Sequence, residues 1–184
     1  MLGVGQKLPE FKITGVKPGF NSHEENGVSA FETVTDKSFE GKWKVIFFYP
    51  KDFTFVCPTE IAAFAKLGRE FEDRDTVVLG GSTDNEFTKL AWRRDHADLN
   101  KLPIWQFADT GGKLARDLGV LDEGNGVALR ATFVVDPHNV VQHVYVTNLN
   151  VGRSPEDTLR VVDALQTDEL CACNRPVGGE TLAA

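Results

Sequence analysis

The sequence predicts an α/β fold in which a mixed central β-sheet carries helices on both faces. Three observations point to it. Apolar runs rich in β-branched and aromatic residues alternate with segments of helical period, two such runs close around a turn late in the chain, and an amphipathic segment follows them. At 184 residues the chain can bury one sizeable core and is short for two ordinary domains. Residues 1–168 therefore read as one domain and residues 169–184 as a mobile tail.

The elements follow in order. "GVKPGFNSHEENG" (15–27) is polar and punctuated by Gly, Pro and Asn, so it reads as a surface excursion. "KWKVIFFY" (42–49) has the composition of a buried strand. The period changes in the segment that begins at Thr54: Ile61, Phe64, Leu67 and Phe71 recur at helical spacing with charged residues between them. "TVVLGGS" (76–82) reads as a second buried strand, after which Asp84 is placed to cap a helix that carries Phe87, Leu90 and Ala91 on one face. "IWQFAD" (104–109) is a short strand, and "KLARDLG" (113–119) a short helix that stops at Gly119. In "ATFVVDPHNVVQHVYV" (131–146) two apolar runs flank a turn signal and predict a β-hairpin. Ser154 and Pro155 open a last helix whose buried stripe is Leu159, Val162 and Leu165; beyond Glu169 the pattern fades.

Composition narrows the function. Apolar residues make up 41% and charged residues 26%, within the range of globular proteins. A net charge of −7 with no cluster of Lys and Arg argues against nucleic acid or an anionic membrane as partner. "MLGVGQKLPEF" offers neither a basic leader nor a long apolar run, so the expected location is the cytoplasm. Three cysteines form one disulfide at most, which suits reactive thiols in a reducing compartment better than structural staples.

The chemistry centres on "FYPKDFTFVCPTEIAAF" (48–64), where Cys57 stands at the junction of strand and helix. Unpaired N–H groups and the macrodipole at a helix start favour an anion, and Pro58 is tolerated at the first helical position. Thr54 lies three residues before Cys57, and its hydroxyl can donate to the sulfur or to an oxygen bound beside it. Pro50 ends the strand and can screen the sulfur from water. A cysteine beside an aromatic strand is, on its own, most often a small buried hydrophobe; these neighbours shift the reading toward chemistry.

Pro50-x-x-x-Thr54-x-x-Cys57 resembles the active-site signature of the peroxiredoxins, thiol peroxidases on a thioredoxin-like fold. "FFYPKDFTFVCPTEIAAF" is similar to their alkyl hydroperoxide reductase C branch, and the likeness runs from "GQKLPEF" to "VVDALQTDELCAC". The resemblance implies that Cys57 is the peroxidatic cysteine, which attacks peroxide and becomes a sulfenic acid. It also implies that Arg130 pairs with the thiolate and polarises the peroxide, with Glu60 orienting that arginine. Cys171 matches the resolving cysteine that reaches a second subunit. Cys173 departs from the usual single-cysteine tail, resembles the actinobacterial type, and is placed to relay the disulfide outward. Lys89 stands where the family often shows histidine, and no "GGLG" or "YF" element is present, so slow overoxidation is expected. The implied partners are a second copy in an obligate dimer, a ring of such dimers, a peroxide, and a thioredoxin-like or dedicated disulfide reductant; no cofactor or metal is implied.

Other classes fit less well. Cys171 and Cys173 with His138 or His143 make a zinc site of poor spacing, and no histidine is singled out as base for a cysteine hydrolase. A thioredoxin-type oxidoreductase needs Cys-x-x-Cys where this chain reads Cys57-Pro58-Thr59-Glu60. A non-enzymatic chaperone or scaffold oligomer remains compatible with the sequence.

Overall fold

The computed structural model describes residues 1–182, so the last two residues of the expected tail lie outside the described part. The strands and helices in chain order are β1 (Lys12–Val16), β2 (Glu24–Glu25), β3 (Val28–Ser29), β4 (Phe31–Thr35), β5 (Trp43–Phe48), α1 (Cys57–Lys66), α2 (Gly68–Glu72), β6 (Thr76–Ser82), α3 (Glu86–Asp95), β7 (Trp105–Ala108), α4 (Lys113–Asp117), β8 (Leu121–Asp122), β9 (Val127–Ala128), β10 (Arg130–Val135), β11 (Val141–Thr147) and α5 (Pro155–Gln166). Seven of the strands form one mixed sheet in the order β11-β10-β5-β6-β7-β1-β4. The pairs β5·β6 and β6·β7 are parallel and the other pairs antiparallel.

Side chains alternate across β5, as the period of a strand requires. Val45, Phe47 and Tyr49 pack with Ile61 and Phe64 of α1 and Leu159 and Val162 of α5. Ile46 and Phe48 point the other way, toward Leu114 and Ala115 of α4. Helices thus cover both faces, and the buried central strands read as continuous apolar runs. Gly80 and Gly81 of β6 permit this packing: a Cβ at Gly80 would stand 2.2 Å from the Phe47 ring, and one at Gly81 2.3 Å from the Phe107 ring.

Four local expectations change. Gly15 and Val16 belong to β1 rather than to a loop, because β1 adds its antiparallel partner β4 at the sheet edge. The first helix starts at Cys57, one residue before the expected first helical position at Pro58, which makes Pro58 its second residue. Asn85 caps α3 by accepting from the Thr88 N–H (2.9 Å), while Asp84 accepts from the Asp52 N–H (2.8 Å). Phe87 is 59% exposed, and α3 instead buries Lys89, Leu90, Trp92 and Arg93.

Arg93 is the largest fully buried side chain, and its guanidinium donates to Gln106 Oε1 (2.6 Å) and to the carbonyls of Lys17 (2.7 Å) and Phe20 (3.0 Å). It pins the segment after β1 to α3. Arg93→Met leaves those acceptors unpaired and is expected to cost about 3 kcal/mol. A urea unfolding midpoint that falls at constant m-value checks this; an unchanged midpoint would show that the segment re-pairs without the arginine.

Candidate active site

The site forms where β5 hands the chain to α1. Cys57 is the first helical residue and 1% exposed, packed among Tyr49, Trp92 and Ile61. Its own N–H lies among the unpaired donors of the helix start, and Pro58 has none to lose. β10 runs antiparallel to β5 with Thr132 opposite Phe47, so Arg130 emerges where β5 ends. Its Nη1 lies 3.5 Å from the Cys57 sulfur, Nη1 also donates to Glu60 Oε2 at 2.5 Å, and Nε donates to the Leu149 carbonyl at 2.8 Å. Three side chains that the sequence singles out thus meet in one buried cluster.

Pro50 is buried at the end of β5. The Thr54 hydroxyl donates to the Lys51 carbonyl (3.0 Å), so of the two acceptors expected for it the Cys57 sulfur is not its partner here. With its hydrogen committed, the oxygen is left as an acceptor. Cys171 lies half-buried beyond the end of α5, where its sulfur is 3.6 Å from the Thr167 hydroxyl, and Cys173 is exposed.

A family model described as the AhpC/TSA family matches residues 4–144. The chain belongs to this family. The alkyl hydroperoxide reductase C of Mycolicibacterium smegmatis is 52% identical over 186 aligned residues, covering 100% of this chain and 95% of that protein. Its Mycobacterium tuberculosis counterpart is 48% identical with the same coverage. Among solved structures, Mycobacterium tuberculosis AhpC superposes with a TM-score of 0.86 at 48% identity, covering 95% of this chain and 98% of that one. The reduced 2-Cys peroxiredoxin of Plasmodium vivax gives 0.85 at 34%, covering 96% and 91%. The expected thioredoxin-like fold, a mixed sheet between helices, is the fold of this AhpC/TSA chain.

The AhpC/TSA chain holds a second arginine at the site that sequence reasoning missed. Arg153 is buried; its N–H and Nε donate to Glu60 Oε1 (3.0 and 2.8 Å), and Nη1 donates to the Ala131 carbonyl (2.7 Å). One carboxylate therefore serves two guanidiniums, and its second oxygen holds Arg130 beside the sulfur. Burial pulls Arg153 below its ordinary range, opposed by the hydrogen bond to Glu60. The available signal was "GRSPED", where a basic residue directly precedes a capped helix, but a charged residue there reads as solvated.

A second polar cluster lies under the loop between Pro50 and Thr54. Lys89 Nζ donates to Ser82 Oγ (2.8 Å) and pairs with Asp52 (3.2 Å), and Tyr49 Oη is 3.4 Å away. Burial draws the Lys89 ammonium below its usual range while Asp52 opposes it, and burial together with Asp52 pushes the Tyr49 hydroxyl well above its own. Among the described residues no helix is long and apolar enough to cross a membrane.

Proposed function

We propose that this chain is a thiol-dependent peroxidase that reduces hydrogen peroxide and organic hydroperoxides. The observation that carries the reading is the buried cysteine at a helix start with a guanidinium 3.5 Å from its sulfur. Two arginines and one carboxylate leave one positive charge in the cluster, which a thiolate neutralises. The thiolate attacks the terminal peroxide oxygen: the S–O bond forms, the O–O bond breaks, and the departing oxygen takes up a proton and leaves as water or alcohol. Arg130 stabilises the charge that develops on that oxygen, and Thr54 Oγ1 accepts a hydrogen bond from the bound peroxide.

Cys57 is then a sulfenic acid, and a tail thiol attacks its sulfur. The S–S bond forms, the S–O bond breaks and water leaves. Arg153, which shares Glu60 with the arginine beside Cys57, directly precedes α5, while Cys171 lies past its end; twelve helical residues span about 18 Å. A disulfide holds its Cα atoms within roughly 7 Å, and this separation supports a partner thiol from a second subunit. Cys171 resolves across the dimer, Cys173 passes the disulfide on, and a thioredoxin-like or dedicated disulfide reductant in the cytoplasm restores the thiols. A groove of about 820 Å³ beside Cys171 is lined by Ala164 and Leu165 of α5 and by Leu170 and Leu182 of the tail. Phe55, 95% exposed two residues before Cys57, supports further packing of dimers into a ring. The thioredoxin-type alternative finds no thiol at the position of its second cysteine, where Glu60 is engaged by both arginines.

One equivalent of hydrogen peroxide tests this. The reduced protein is expected to lose two thiols and run as a covalent dimer on a non-reducing gel. Cys171→Ser is expected to stop at a sulfenic acid that dimedone traps. A covalent dimer in Cys171→Ser would assign resolution to Cys173, and no thiol loss in the unsubstituted protein would reject the peroxidase reading.

A further inference from the structure

The arc from Pro50 to Thr54 joins β5 to the turn that presents Cys57. Within it Phe53 has φ +56°, a left-handed conformation that bulky side chains rarely adopt and that persists only where the surroundings over-determine it. On the outside, the Phe53 ring stacks on Trp92 with centroids 5.7 Å apart. On the inside, the neighbouring Asp52 is fixed at every polar atom but its carbonyl. Its N–H donates to Asp84 Oδ2 (2.8 Å), and its carboxylate accepts from Ser82 Oγ (2.9 Å) and from Lys89 Nζ (3.2 and 3.3 Å).

Lys89 is 0% exposed, an uncommon place for a lysine. Its ammonium spends its hydrogens on Ser82, Asp52 and Tyr49, all at the ends of β5 and β6 or in the arc itself. A methionine of similar length would fill the same space. The charge serves the carboxylate of Asp52, and that carboxylate serves the backbone on which Thr54 and Cys57 stand.

We propose that Lys89 is a positioning residue for peroxide reduction: through Asp52 it fixes the Pro50–Thr54 arc in the conformation that offers the Thr54 oxygen and the Cys57 sulfur to one peroxide. Lys89 acts through Asp52 and touches no reacting atom. This rests on the peroxidase reading above.

The test compares two reactions of the same sulfur in a Cys171→Ser, Cys173→Ser background, where Cys57 is the one remaining thiol. Peroxide reduction needs the assembled arc, whereas alkylation by iodoacetamide needs the ionised sulfur and no bound peroxide. In Lys89→Met/Asp52→Asn, which removes both charges together, the peroxide rate constant is expected to fall about 30-fold, somewhat less than the roughly 10²-fold that misplacing a reacting pair by a full ångström can cost. The alkylation rate is expected to stay within threefold. Ser82→Ala, a truncation small enough to keep the fold, is expected to lower the peroxide rate about fivefold with alkylation unchanged. If peroxide and alkylation rates fall in step, or if neither moves in Ser82→Ala, the inference is overturned. If the background protein itself reduces peroxide no faster than a free thiol, the peroxidase reading fails instead.

Discussion

Cys57→Ser is expected to lose peroxide reduction by about 10³-fold or more, down to the background of the tail thiols. A serine hydroxyl offers oxygen in place of a polarizable sulfur and stays protonated at neutral pH, so no S–O bond can form and the first step has no substitute. Removing the guanidinium alone gives a graded result. Arg130→Met keeps the nucleophile and loses the charge 3.5 Å from the sulfur, and a loss of about 10²-fold is expected, the scale of deleting one stabilising donor at a developing oxyanion. Stopped-flow oxidation followed by tryptophan fluorescence reads both, with circular dichroism to show that each variant is folded. A Cys57→Ser protein that still turned over peroxide would move the reaction to the tail. An Arg130→Met protein with the unsubstituted rate would make the arginine a structural partner of Glu60 and nothing more.

The sequence made some of this site legible and concealed the rest for identifiable reasons. Ser154 and Pro155 announce α5 because capping is local: the Ser154 hydroxyl accepts from the Asp157 N–H, three residues on. Cys57 at the start of α1 is legible in the same way, from a period that changes beside a proline. Arg130 is 73 residues from Cys57, and only the register of β10 on β5 brings them together. The resemblance carried that pairing; spacing could not. Lys89, Arg93 and Arg153 were hidden by the assumption that charged residues face water. In α3, Leu90 is buried as expected, but the helix also buries two cations while Phe87 stays exposed. Strand β1 and the edge strand β4 escaped notice because they are five residues each and pair across a polar loop.

Glu60→Gln is expected to produce the largest loss of stability, about 3–5 kcal/mol, because it removes the one carboxylate shared by two buried guanidiniums. Glutamine keeps the size but offers a single acceptor oxygen, and its NH₂ faces one set of arginine donors. For a chain of this length, that corresponds to a melting temperature lower by roughly 6–20 °C. The charge count then makes a sharper prediction. In the unsubstituted cluster two cations face one carboxylate and the sulfur; in Glu60→Gln they face the sulfur alone. Arg153→Met on that background removes the surplus cation, so the double variant is expected to be more stable than the sum of the single losses predicts, by about 1–2 kcal/mol. Arg130 is the cation kept, since it is the one whose Nη1 reaches the sulfur. Urea denaturation of the four proteins closes the cycle. Additive losses would show that Glu60 holds each arginine independently, and the idea of a shared carboxylate balancing the thiolate would have to be given up.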